Sequence, residues 1–302
     1  MPVALQILWQ VLAPIFLTAG TGFLLSRRAG LRPEGLAKAA FYIFSPCLLF
    51  DKLSHTHLAA ADLGRITLFA ALTIGGAAVL GWLATRWLRL DQATGAALIL
   101  CVMAGNTGNY GLPANQFAYG AAALDPAVVY YAMSTLILST VGIYVIARGR
   151  KSAAQALRNV LTVPLTYAGL AGLLVWAGNL AVPLPLERFA GIGSQAAIPV
   201  MLVILGAQLA EVRIRQDFGP IVVASAVKLL SGPLLGLLFA AALGLSGITR
   251  KAVIVEASMP TAVMAIVLAT QYDNAPRFTA GVVLVSTLAS LFTVTLLLAW
   301  LQ

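Results

Sequence analysis

The fold is decided by a stretch of sequence that reads Ala104-Gly105-Asn106-Thr107-Gly108-Asn109-Tyr110-Gly111-Leu112-Pro113. It interrupts an otherwise apolar segment that runs from about Ala93 to Ala121. As helix, the apolar run on either side would cover roughly 15 Å, half of a hydrocarbon core of roughly 30 Å. Glycine, asparagine and proline are poor helix formers, and lipid cannot satisfy the backbone groups that a broken helix leaves unpaired. We therefore expect the break to be buried in protein or to line a polar cavity. The alternative is a kinked helix packed through small residues.

The composition predicts an all-α integral membrane protein that crosses the lipid bilayer several times. Of the 302 residues, 60% are hydrophobic and 10% are charged, and the mean hydropathy is +0.93. A soluble domain carries about 25% charged residues. In a soluble chain the net charge of +9 would suggest nucleic acid. Here the basic residues fall mainly in short loops, so membrane orientation explains them better and nucleic acid is not expected.

Ten apolar segments predict ten transmembrane helices. They span about residues 5–25, 36–53, 63–87, 93–121, 127–147, 161–180, 189–209, 220–243, 253–269 and 280–301. The loops after odd-numbered segments hold thirteen Lys and Arg residues, and the opposite loops hold five. Basic loops stay in the cytoplasm, so the pattern predicts that both termini are outside.

Weak internal repeats divide the chain into two halves, 1–150 and 151–302. Ser134-Thr135-Leu136 recurs as Ser286-Thr287-Leu288, and Pro113 has a counterpart in Pro260. Each half has five segments, so the second must be inverted in the membrane. We predict two inverted five-helix repeats, with helices 4 and 9 broken and crossing at the midplane. Inverted repeats with broken helices are typical of secondary transporters.

The predicted crossing brings the break at 106–113 to the break at Met259-Pro260. Proline is favoured in the first helical turn, so Pro113 and Pro260 are expected to open the second half-helices. Each half-helix N-terminus carries about +0.5 charge and favours an anion or a carboxylate. Asparagine side chains can hold such a group, whereas Tyr110 either lines the cavity or packs. The candidate substrate-binding residues are Asn106, Thr107, Gly108, Asn109, Tyr110, Pro113, Met259, Pro260 and Thr261.

Two ionisable residues, Lys228 and Glu256, lie well within apolar segments. A central charge costs roughly 2.5–3.5 kcal/mol on translocon scales, so each needs a partner, a cavity or a neutral form. Glu256 is either a proton acceptor for ion coupling or a carboxylate near the outer interface, where it is reached by water or paired with Lys251 or Arg250. Lys228 either attracts the substrate or pairs with carbonyls of a broken helix, or else it forms a structural ion pair.

No sequence motif indicates an enzyme. The chain has no phosphate-binding loop, zinc-protease motif or nucleophile elbow. His55 and His57 are too few for a credible metal site, so we expect no metal, no cofactor and no catalytic residue.

Gly105-Asn106-Thr107-Gly108-Asn109-Tyr110-Gly111-Leu112-Pro113 resembles the G-N-x-G-N-x-G-L-P signature of the auxin efflux carrier family. Glu256-Ala257-Ser258-Met259-Pro260 is similar to that family's E-A-x-M-P stretch in the ninth helix, and the resemblance covers essentially the whole chain. It implies a fold like that of bile acid sodium symporters. Helices 1, 2, 6 and 7 would form a scaffold, about 1–60 plus 158–212. Helices 3–5 and 8–10 would form a transport domain, about 61–147 plus 217–302.

The resemblance also implies elevator-like movement, a homodimer, and substrates such as auxin in plants or malate and malonate in bacteria. The connection between helices 5 and 6 is short, so a bacterial malate- or malonate-type permease of the inner membrane fits better than a hormone exporter. We therefore expect a secondary active transporter of a small organic anion. Proton coupling through Glu256 or electrogenic uniport is preferred to sodium, because no acidic cluster resembles a sodium cage. The alternative is a membrane receptor or a channel-like module without coupled transport.

Overall fold

A computed structural model of the protein describes residues 2–147, 161–212 and 218–302. In these ranges the chain forms helices and their connections, with no β-strand, so the prediction of an all-α fold is confirmed. The predicted basic connection after the fifth segment and the arginines after the seventh fall mainly outside the described residues. The ten-helix inverted repeat stays a prediction.

Long apolar helices form most of the described structure. Six are long and apolar enough to cross a membrane: α1 (Val3–Ala29), α3 (Ala60–Trp87), α5 (Ala121–Ile146), α7 (Leu184–Glu211), α8 (Phe218–Ala242) and α10 (Pro276–Leu301). Helix α2 covers residues 33–54 as the contiguous pieces Pro33–Ala39, Ala40–Phe44 and Ser45–Ser54, and α6 is Pro164–Gly178. Two helices come in halves: α4a (Gln92–Met103) with α4b (Leu112–Tyr119), and α9a (Gly247–Ala257) with α9b (Met264–Gln271).

Several helices begin earlier than hydropathy alone predicts. Helix α7 starts at Leu184 rather than near residue 189, and its first turns contain Glu187 and Arg188. These polar residues are helical, but they lower the local hydropathy. The predicted helices therefore begin about one turn too late.

The outside of the molecule is apolar. Large side chains such as Trp87, Ile192 and Phe292 are 76%, 73% and 74% exposed. Exposed apolar surface on this scale is unfavourable in water and suits lipid. Together with the six apolar helices, it makes this a multi-pass membrane protein.

Glycine residues lie where two helix backbones come into close contact. Helix α1 packs along α7, where Gly22 faces the backbone of Val203 and Gly206 faces the backbone of Ala19. Helix α2 packs against both α6 and α7. Small residues let helix backbones approach closely in lipid, where dispersion contacts replace the hydrophobic effect as the driving force.

Candidate functional site

Helices 4 and 9 are both interrupted, as the sequence predicts. After α4a the backbone leaves the helix at Ala104 and re-enters a π-helical turn, Thr107–Gly111, that leads directly into α4b. After α9a the chain is non-helical until α9b begins at Met264. Pro113 lies in the first turn of α4b, as expected. The same expectation for Pro260 is wrong, because Pro260 precedes α9b and belongs to the break itself.

The two breaks satisfy each other's backbone hydrogen bonds. The Asn106 N–H donates to the Pro260 carbonyl at 2.8 Å, and the Ala262 N–H donates to the Ala104 carbonyl at 2.8 Å. Between these bonds, Gly105 lies opposite Thr261 in an antiparallel bridge. Buried backbone groups must find partners. The pairing therefore explains how two broken helices persist in an apolar protein, and why Pro260 lies outside the helix.

Each break is also bonded to a serine of the helix that follows it. Thr107 Oγ1 lies 2.9 Å from Ser134 Oγ of α5. The Thr261 N–H donates to Ser286 Oγ of α10 at 3.2 Å. The sequence-based site omitted both serines, although the Ser-Thr-Leu repeat at 134 and 286 was the signal that could have identified them.

A cavity of about 1190 Å³ leads from the break of helix 4 to one face of the molecule. We call it the large cavity. Among the predicted site residues, Asn106, Thr107, Gly108 and Asn109 line it. The wall also contains polar side chains that the predicted site did not include: Tyr131, Ser134, Thr135 and Gln208. Charged residues line it at the ends of α2, α7 and α10: Glu34, Lys38, Glu211 and Arg277. Most other lining residues are apolar.

Five predicted binding residues do not line the large cavity: Tyr110, Pro113, Met259, Pro260 and Thr261. Tyr110 is fully buried and packs edge-on against Phe16, with ring centroids 5.7 Å apart. Its hydroxyl accepts a bond from Ser290 Oγ at 3.4 Å. In this structure these five residues lie away from the large cavity, and their contact with substrate stays a prediction.

Glu256 lies behind the crossing in the last turn of α9a and is fully buried. Asn115 of α4b donates from Nδ2 to Glu256 Oε1 at 3.0 Å. The other oxygen, Oε2, packs against Gly111 and has no hydrogen-bond partner among the described residues. Lys251 bonds to the Gln302 carbonyl at 3.2 Å instead. The alternative of an interfacial Glu256 paired with Lys251 or Arg250 is therefore wrong, and an asparagine from the other half of the chain takes that place.

Lys228 of α8 is also buried, with 3% of its surface exposed. No carboxylate of the described residues lies within 4.0 Å of its ammonium group. A structural ion pair therefore does not account for it. Its Nζ lies beside the break of helix 4, 3.4 Å from the position that a Cβ atom on Gly105 would occupy. Across the described ranges, no three His, Cys, Asp or Glu side chains are grouped as metal ligands would be.

Asn115→Leu is expected to destabilise the protein, because it removes the hydrogen-bond donor to the Glu256 side chain. A buried polar group without its partner costs about 1–3 kcal/mol. The measurement is thermal unfolding of the purified protein in detergent. Glu256→Met and the double variant complete a double-mutant cycle, in which the double variant should recover part of the loss. Equal melting temperatures for Asn115→Leu and the wild type would contradict the assignment.

A cavity beside the paired breaks of two helices is typical of membrane transporters. Comparison with known proteins agrees. Residues 7–298 match the sequence model of the membrane transport protein family, and the chain belongs to that family. The match confirms the resemblance to auxin efflux carriers.

Two similar proteins carry the name of transporters. An uncharacterized transporter of Methanothermobacter thermautotrophicus is 24% identical over 257 residues, covering 85% of each chain. An uncharacterized transporter of Methanocaldococcus jannaschii is 25% identical over 210 residues, covering 68% of each chain. The similarity covers at least 68% of this chain in both cases.

Proposed function

We propose that the protein is a secondary active transporter of a small organic anion, which binds where the large cavity meets the break of helix 4. The observation that carries the proposal is the Asn106 side chain. It lines the cavity, yet its buried Nδ2 has no hydrogen-bond partner among the described residues. Directly after it, the helix that begins at Thr107 presents its first N–H groups, which have no partner within the helix. A carboxylate would satisfy both sets of donors.

The rest of the large cavity favours a solute with a compact or partly apolar body, because its wall is mainly apolar. The charged residues at the helix ends, Glu34, Lys38, Glu211 and Arg277, balance in sign, so the preference for an anion rests on the donors at the break of helix 4. Malate, malonate and auxin-like acids all have this chemistry.

Two inverted five-helix repeats, 1–150 and 151–302, are supported by the matching roles of Ser134 and Ser286. A scaffold of about 1–60 plus 158–212 is supported by the packing of α1, α2, α6 and α7 on one another. The transport domain, about 61–147 plus 217–302, holds both breaks and moves against this scaffold in elevator fashion.

The large cavity reaches the ends of α2, α7 and α10 that adjoin the basic loops, so this conformation faces the cytoplasm. The protein works as a homodimer in a bacterial inner membrane, with both termini outside.

Proton coupling through Glu256 is supported by the position of its carboxyl group. It is buried behind the crossing and does not line the large cavity. Its Oε2 atom has no donor among the described residues. A proton on Oε2 would neutralise the group without any new partner, whereas an unpaired buried charge is costly.

Uptake of labelled malonate into proteoliposomes tests the binding site. Asn106→Ala and Asn109→Ala should each lower the initial rate by about tenfold or more, because each removes a polar contact to the carboxylate. Gln195→Ala is the control, since Gln195 is exposed on α7 and does not line the cavity. Wild-type uptake in both asparagine variants would mean that the break is only structural.

The same vesicles test coupling and the alternative functions. An inward proton gradient should accelerate uptake, and a sodium gradient should not. Sodium-dependent, pH-insensitive uptake would overturn the role of Glu256. Absence of saturable counterflow across a panel of mono- and dicarboxylates would instead favour a receptor or a channel-like module.

A further inference from the structure

A second, much smaller cavity of about 10 Å³ lies behind the hydrogen-bonded pair Thr107–Ser134. We call it the small chamber. Its polar lining residues are Thr73, Thr107, Tyr130, Ser134, Lys228, Ser231 and Glu256. It shares Ile74, Met103, Gly105, Thr107 and Ser134 with the large cavity, so this layer of residues lies between the two. Its volume is at the lower limit for holding a single water molecule.

Except for Lys228, the polar groups of the small chamber are oxygens. Thr73, Tyr130, Ser134 and Ser231 contribute hydroxyl groups. Glu256 also lines the chamber, and its backbone carbonyl oxygen lies 3.8 Å from the Gly105 Cβ position. Its carboxyl group turns the other way, toward Gly111. A set of hydroxyl and carbonyl oxygens is what hard monovalent or divalent cations prefer as ligands. An ammonium group, with three N–H donors and no acceptor, requires the same kind of surroundings.

Lys228 supplies that ammonium group. The side chain is nine-tenths or more buried, and its Nζ reaches the break at Gly105. No carboxylate of the described chain lies within ion-pair distance of it. A buried cation without a counter-ion persists only where dipoles and lone pairs surround it. The oxygen-lined chamber is the place in the described structure that meets this need.

We propose that the small chamber is a monovalent-cation site whose resident cation is the Lys228 ammonium group of the chain itself. The positive charge beside the helix 4 break is therefore covalently attached and does not depend on the ionic medium. This inference goes beyond the proposed function, because it concerns the ion that the crossing holds and not the solute. It predicts that removal of the lysine side chain leaves a vacancy that a sodium ion can fill.

The test is thermal unfolding of the purified full-length protein in sodium chloride and in choline chloride of equal ionic strength. Wild-type protein should melt at the same temperature in both salts. Lys228→Ala should melt at a lower temperature in choline, and sodium should raise its melting temperature saturably, since a bound ion stabilises by mass action. Lys228→Met fills the chamber without a charge and should not respond to sodium.

Leu229→Ala is the matched control. Leu229 is the next residue of α8, is equally buried, and does not line the chamber. Its truncation should lower the melting temperature by the same amount in both salts. This comparison separates a sodium site from a general effect of salt on a destabilised protein.

A wild-type protein that is itself stabilised by sodium would overturn the proposal, as would a Lys228→Ala variant that melts at one temperature in both salts. If Lys228→Ala yields no folded protein, Lys228→Ser purified in each salt replaces it. Folded protein only in sodium supports the proposal, and its absence from both salts overturns it. No solute is involved, so the result is independent of whether the protein transports an organic anion.

Discussion

Gly206→Val is expected to lower the melting temperature and the amount of folded protein in the membrane strongly. A Cβ atom on Gly206 would overlap the carbonyl oxygen of Ala19 and lie 2.8 Å from the backbone nitrogen of Phe23. Both atoms belong to the α1 backbone, which cannot rotate aside as a side chain can. Overpacking usually costs about 1–3 kcal/mol and occasionally more, and here a whole helix must move. That cost is a large part of a typical stability of about 5–15 kcal/mol.

Glycines on the same two helices provide the controls. A Cβ atom on Gly191 of α7 would meet no atom within 4 Å, and the same holds for Gly20 of α1. Gly191→Ala and Gly20→Ala should therefore be at least as stable as the wild type, because alanine favours helix over glycine by about 1 kcal/mol. Gly22→Ala should behave like Gly206→Val, since its Cβ would overlap the backbone of Val203. Monodisperse Gly206→Val protein with the wild-type melting temperature would show that the backbones of α1 and α7 are not in close contact at Gly206.

The break in helix 4 could be predicted because its cause is local. A cluster of helix breakers inside an apolar segment gives either a kinked helix or a break that is buried in protein or lines a cavity. The structure contains the break. The partner of the break could be predicted from the repeat, which pointed to Met259-Pro260. The backbone pairing of Gly105 with Thr261 then follows from the need to satisfy both breaks.

Which side chains face the cavity could not be predicted, because the π-helical turn changes the register. The Gly111 N–H donates to the Asn106 carbonyl at 3.0 Å, five residues earlier. A wide turn of this kind rotates the residues after it relative to an α-helix. Tyr110 consequently packs on Phe16 while Asn106 and Asn109 line the cavity. No periodicity in the sequence reports this shift.

The hydrogen-bond partner of Glu256 could not be predicted from the sequence for a related reason. Lys251 and Arg250 are close to it in sequence, whereas Asn115 is 141 residues away. Contacts between the two halves depend on how the breaks cross, and a single sequence reports only which residues are polar. The serines at 134 and 286 show the limit of the repeat signal. Their recurrence is visible in the sequence. That each serine forms a hydrogen bond with the neighbouring break is visible only in the structure.

Gly111→Ala is expected to lower the rate of transport strongly. A Cβ atom on Gly111 would overlap Glu256 Oε2 and lie 2.8 Å from the carboxyl carbon. The carboxyl group would have to leave Asn115, its hydrogen-bond donor at 3.0 Å. In the proposed mechanism Glu256 carries the coupling proton, so its displacement should lower malonate uptake by about tenfold or more. Gly95→Ala in the same broken helix is the control, because its Cβ would make an ordinary contact at 3.5 Å with Thr85.

A second substitution tells displacement of the carboxyl group apart from a general loss of folding. Glu256→Asp shortens the side chain by one methylene and retracts the carboxyl group from the position that the new methyl group occupies. Gly111→Ala combined with Glu256→Asp should therefore melt at a higher temperature than Gly111→Ala alone. That recovery requires the two sites to be energetically coupled, as residues in direct contact are. If Gly111→Ala retains wild-type uptake, the contact between the Glu256 carboxyl group and Gly111 is not needed for transport. Glu256 would then not carry the coupling proton. If uptake is lost but the double variant shows no recovery of stability, the methyl group acts on the helix 4 backbone and not through Glu256.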